Sequence, residues 1–174
     1  MLSPWLVVLF RLIHIVVGVF WVGSVLFLSA FLFPAVRTLG PAGGPVMSYL
    51  TQVRGMPTRL LIAALVTIAS GLVLYWHDSL GFHSEWIRSP SAMVFGAGAV
   101  CALLAVVVGL LVNNPTAKRV GALAGAIQRQ GGPPNPEQAA EMQRLQLRLS
   151  GALRVVTVLL LLAVAAMAVA RYVG

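Results

Sequence analysis

The sequence predicts an all-α integral membrane protein, a four-helix antiparallel bundle with a helical hairpin extension between its third and fourth spans. Three observations predict it. Apolar residues make up 59% of the 174-residue chain, charged residues only 9%, and the mean hydropathy is +0.93. A soluble domain is about half apolar and about a quarter charged. Four apolar runs approach or exceed the roughly 20 residues that cross a bilayer. Basic residues gather in alternate connections, as loops on the cytoplasmic side do. This composition excludes a soluble enzyme, a disordered chain and a collagen-like fibre. It leaves one transmembrane domain over residues 1–174, with spans at about 5–34, 59–77, 91–112 and 153–172.

The first run, from Trp5 to Phe33, is interrupted only by Arg11. It is longer than the roughly 7–15-residue core of a signal peptide and no basic residue precedes it, so a true span is expected. The second run is Leu60 to Trp76, the third is Ser91 to Val112, and the fourth is Val155 to Ala170 between Arg154 and Arg171. Flanking arginines can snorkel to the interface and lengthen a short span.

Between the third and fourth runs, about 115–152, a polar helical hairpin is expected on the cytoplasmic side. Asn114-Pro115 and Asn135-Pro136 each have the form of a helix cap followed by proline at the first helical position. Gly131-Gly132-Pro133-Pro134 separates them. Met142, Leu145, Leu149 and Ala152 recur at helical spacing.

Orientation follows from the basic residues. Arg37, Arg54, Arg59, Lys118, Arg119, Arg129, Arg144, Arg148 and Arg154 share one side; Arg11, Arg88 and Arg171 share the other. The larger set marks the cytoplasm. Both termini and the short connection from His77 to Pro90 are then periplasmic, in a multi-pass protein of the inner membrane. In this setting the net charge of +8 reflects cytoplasmic loops rather than nucleic acid. The basic hairpin is a connector with a solvated face, or a surface for a partner protein or anionic lipid headgroups. A redox partner protein and self-association into a homo-oligomer are both compatible with this architecture.

Ionisable residues within a span are costly, and Arg11 and His14 are the clear instances. Three residues apart, they share a helix face. His14 lies nine residues after Trp5, roughly 13 Å inward of an interface anchor. Gly18 follows one turn deeper. His77 ends the second span and His83 lies in the connection after it, with Asp78 and Glu85 nearby. Three chemistries are open. His14 can be an axial ligand of a haem b, with Arg11 neutralising a propionate, Gly18 making room for the ring and His77 available as a second ligand. Alternatively His77, His83 and the neighbouring acids hold copper or zinc in the outer connection. Otherwise the three histidines only pack and hydrogen-bond.

The remaining patterns point to packing. Small residues at Gly98, Ala102, Ala105 and Gly109, at Ala163, Ala166 and Ala170, and at Thr67, Ser70 and Gly71 give spans three, four and two seams for close approach. The lone Cys101 sits in an apolar run and can form neither an internal disulfide nor a cysteine-based zinc site. No nucleophilic triad, zinc-protease or phosphate-loop motif is present, so catalytic residues are unknown.

Leu12-Ile13-His14-Ile15 followed by Phe20-Trp21-Val22-Gly23 resembles the opening of a bacterial superfamily of small membrane proteins. That superfamily includes the copper-resistance D-type membrane domains, related uncharacterised proteins and the four-helix bacterial protoporphyrinogen oxidase. Arg54-Gly55-Met56-Pro57, Trp86 and the ending Ala166-Met167-Ala168-Val169-Ala170-Arg171-Tyr172 extend the resemblance. It implies a four-helix bundle whose span-one histidine, here His14, binds haem b. Where the oxidase has a lysine opening span three, this chain reads Arg88-Ser89-Pro90-Ser91, which argues against porphyrinogen oxidation. The copper-resistance proteins have more spans and more ligands, which argues against copper import. The expectation is therefore a small haem b membrane protein with an electron-transfer or redox role near the periplasmic face. A copper-handling or other metal-handling protein, or a non-catalytic partner subunit, is the alternative.

Overall fold

The computed structural model describes residues 2–82 and 85–173. The described chain is helical, with four helices long and apolar enough to cross a membrane: α1 (Pro4–Leu39), α2 (Met56–Asp78), α3 (Pro90–Gln130) and α4 (Pro136–Tyr172). Their outward faces carry large apolar side chains; Val19 and Phe31 are each 67% exposed. Such a surface suits lipid and would be an aggregation hazard in water.

The helices associate mainly as two sequential pairs, α1 with α2 and α3 with α4, with lighter contacts of α1 with α4 and of α2 with α3. All four contribute to one buried cluster: Trp21, Val25 and Leu28 from α1, Ala63 and Ala64 from α2, Ala105 from α3, and Leu153, Val156 and Leu160 from α4. Lipid tails are as apolar as leucine, so close backbone approach rather than water exclusion drives such contacts. The small-residue seams serve that end. A Cβ on Gly98 would lie 3.1 Å from the Ala166 Cβ and 3.3 Å from the Ala163 carbonyl oxygen. Ala105, Ala163 and Ala170 are buried.

The polar segment between the apolar parts of α3 and α4 forms two helical arms about a tip. One arm, Asn114–Gln130, closes on Gly131 in the left-handed region at φ +71°, where glycine carries no Cβ penalty. The other starts at Asn135, whose side chain accepts from the Gln138 amide while Gln138 reciprocates, a full capping box. Leu145 and Leu149 are buried, and the same stripe continues through Leu153, Val156, Leu160 and Ala163. One apolar seam thus serves both the arm and the span.

Asn114-Pro115 differs from expectation. The expected cap is not formed: Asn113 is helical and makes no side-chain cap bond. A π turn at Gly109–Asn113 carries α3 straight through. Proline lacks an N–H and its ring crowds the carbonyl four residues back, and widening the preceding turn accommodates both. The same device, Leu28–Leu32, precedes Pro34 in α1, so α1 runs past the predicted end near residue 34 to Leu39. The connection between α1 and α2 also holds short helical pieces at Gly44–Ser48 and Tyr49–Val53, which the glycine- and proline-rich sequence hid. It then turns at Gly55, φ +58°, into α2.

At the opposite end, Ser79 is fully buried, bonding the Trp76 carbonyl with its hydroxyl and accepting from the Phe82 amide at 3.1 Å. This turn holds Leu80 and Phe82 at positive φ. Tyr75 meets Trp86 edge-on at 5.3 Å and Phe82 at 6.2 Å. Ser91 donates to the Val173 carbonyl at 2.9 Å, tying the chain end to the start of α3.

Candidate functional site

His14 is seated in α2 rather than left facing lipid. Its Nδ1 lies 2.8 Å from the Thr67 carbonyl oxygen and 3.4 Å from the Ser70 hydroxyl. Gly71 makes this possible. In a helix, a side chain covers the turn that precedes it, so the residue four after Thr67 would normally shield the Thr67 carbonyl. Gly71 has no side chain, and the imidazole fills its place: a Cβ there would lie 2.8 Å from His14 Cε1 and 3.1 Å from Nδ1. Ser70 turns its hydroxyl inward onto the Val66 and Thr67 carbonyls, at 2.7 and 3.0 Å, and Thr67 bonds Ala63 in the same way at 2.8 Å. These back-bonds satisfy both hydroxyls within the helix.

The bond fixes the chemistry of the ring. A carbonyl oxygen only accepts, so Nδ1 carries the proton, and in neutral imidazole Nε2 holds the lone pair. A histidine whose Nδ1–H is held by a backbone carbonyl is arranged as metal-ligating histidines usually are. The half-buried ring offers one nitrogen donor to a soft or borderline metal.

The other predicted site residues fall around it as follows. Gly18, one turn along α1, faces Thr67; a Cβ there would lie 3.3 Å from Thr67 Cγ2. The space freed by Gly18 therefore holds the Thr67 methyl and brings α1 close to α2. Arg11 is half-buried, one turn from His14 towards the end where the His77 connection lies. Among the described residues the one ion pair is Arg144–Glu141 at 3.1 Å. His77 lies six residues beyond Gly71 on α2, about 9 Å along the axis. It is half-buried, and its Nδ1 is buried with no hydrogen-bond partner among the described residues. His83 lies outside the described residues. Among those described, no three of His, Cys, Asp and Glu come together as a metal-binding group. Cys101 is free and half-buried.

Sequence reasoning took Thr67, Ser70 and Gly71 for a packing seam and missed them as the seat of His14. The available signal was chemical. Thr67 and Ser70 are the hydroxyl residues within the apolar part of α2, and a glycine adjoins them.

Compared with known protein families, with curated proteins and with solved structures, the chain matches none.

Proposed function

We propose that the chain is a small haem b protein of the inner membrane, an antiparallel four-helix bundle with both termini periplasmic, in which His14 ligates the iron through Nε2. The observation that carries this reading is the 2.8 Å contact of His14 Nδ1 with the Thr67 carbonyl, which leaves Nε2 as the ring's lone-pair donor. The resemblance of the Leu12–Gly23 stretch to the haem-associated superfamily supports it independently.

His14 would hold the metal, Thr67 would fix the tautomer, and Arg11, on the same face one turn outward, would balance propionate charge. His77, whose buried Nδ1 has no hydrogen-bond partner among the described residues, is the candidate for a second ligand. Because the Thr67 methyl fills the space beside Gly18, Gly18 would bring α1 close to α2 rather than make room for the group. The group would supply one-electron chemistry, and the reading is an electron-transfer or redox role near the periplasmic face, with a partner protein or a second copy of the chain as exchange partner.

A visible spectrum of the purified protein tests this. The proposal expects a Soret band and, after dithionite, a sharpened α band. Bound copper or zinc without haem would favour metal handling through His77 and His83 instead. A metal-free, colourless protein would favour a non-catalytic partner subunit.

A further inference from the structure

A cleft of about 540 Å³ opens between α1 and the start of α2, running from the α1–α2 connection towards mid-helix. Its walls are apolar, with Val19, Phe27 and Leu60 among them, and Arg54 and Arg59 line it as well. Both arginines are exposed and neither has an ion-pair partner among the described residues. Gly23 lies in the wall with nothing within 4 Å of where its Cβ would be, so the groove is open at mid-length.

The layout has a polarity. Along α1 the lining runs from Leu32 to Val19, thirteen residues or about 20 Å. That is comparable with one leaflet's share of a hydrocarbon core about 30 Å thick. The arginines stand at the shallow end, one on each side of Gly55, where the chain enters α2. The first turn of α2 has no acidic residue, and among the described residues no carboxylate pairs with either guanidinium group. Guanidinium groups bind phosphate bidentately.

We propose that this cleft is a binding site for one anionic phospholipid of the adjoining leaflet, its phosphate held by Arg54 and Arg59 and an acyl chain laid along the groove past Gly23. The occupant is a lipid rather than a soluble phosphate compound, because the apolar length below the arginines has no use for a headgroup alone. The inference does not rest on the haem reading.

The test is native mass spectrometry of the full-length protein in detergent, titrated with dioleoyl-phosphatidylglycerol, dioleoyl-phosphatidylcholine or glycerol phosphate. One phosphatidylglycerol per chain should be retained in preference to phosphatidylcholine, and glycerol phosphate should not displace it. Arg54→Gln with Arg59→Gln should weaken retention about 25-fold, at about fivefold per basic residue. Gly23→Leu, whose Cβ would meet nothing within 4 Å and whose side chain would project into the groove, should weaken it with both arginines intact. Arg144→Gln with Arg148→Gln, on the hairpin arm, should leave it unchanged. Equal retention of the two lipids, displacement by glycerol phosphate, unchanged binding in Gly23→Leu, or an equal loss in the arm variant would each overturn the proposal. Should the double arginine variant not fold, the Gly23→Leu result and the lipid preference decide the matter.

Discussion

Replacing Gly71 by alanine places a methyl group where His14 now sits. The new Cβ would be 2.8 Å from Cε1 and 3.1 Å from Nδ1, against an ordinary carbon contact of about 3.5–4.0 Å. The ring must retreat by about 0.7 Å or more, which stretches the 2.8 Å bond to Thr67 to the edge of hydrogen-bond range. A hydrogen bond between membrane helices contributes about 0.6–1.7 kcal/mol, and overpacking costs about 1–3 kcal/mol. Alanine recovers about 1 kcal/mol of helix propensity over glycine. The net expectation is a loss of about 1–3 kcal/mol, read by reversible unfolding in mixed detergent micelles. In a His14→Ala background the clash partner is gone, and Gly71→Ala should become neutral or stabilising. The coupling between the two sites, about 1–4 kcal/mol, is what a double-mutant cycle isolates. If Gly71→Ala stabilises the wild-type chain, or carries the same penalty with and without His14, the seat described here is wrong.

Gly98→Val should loosen the α3–α4 pair by about 1–3 kcal/mol in the same unfolding assay, because its Cβ meets Ala166 and the Ala163 backbone within 3.3 Å; an unchanged stability would refute close packing at that seam. Asn135→Ala removes the capping box at the start of α4, worth about 1 kcal/mol, and should raise protease nicking at 131–135 about fivefold. Cleavage that moves to the arms instead would mean they are not packed together. A reporter fused at Gly174 should be active in the periplasm, and cytoplasmic activity would reverse the orientation inferred from the basic residues.

The four long apolar helices were legible in the sequence because apolar length and small-residue seams are local signals, and both survive in the packing. The hairpin was legible at Asn135, where a side chain bonds its own helix start, and at Gly131, where positive φ calls for glycine. It was misread at Asn114-Pro115, since the same dipeptide can follow a π turn inside a continuous helix, and only the carbonyl geometry upstream decides. His14 stood out because a histidine within a span needs a reason. Its partner did not stand out, since a backbone carbonyl is invisible in sequence, and the glycine that exposes it looks like any other small residue on a seam. Gly18 illustrates the converse: its place one turn from His14 suggested room for a ring, and Thr67 from the neighbouring helix occupies that room.

The central claim is that His14 Nε2 ligates haem iron, and haem per chain in purified His14→Ala, set beside wild type, tests it most directly. Loss of one histidine removes an iron–nitrogen bond while leaving the α3–α4 pair and the common core in place, so the variant should insert and extract normally. The account predicts haem in the wild-type protein and loss of most of it in His14→Ala at equal yield and helicity. Wild-type haem content in His14→Ala, or no haem in either protein, would contradict it.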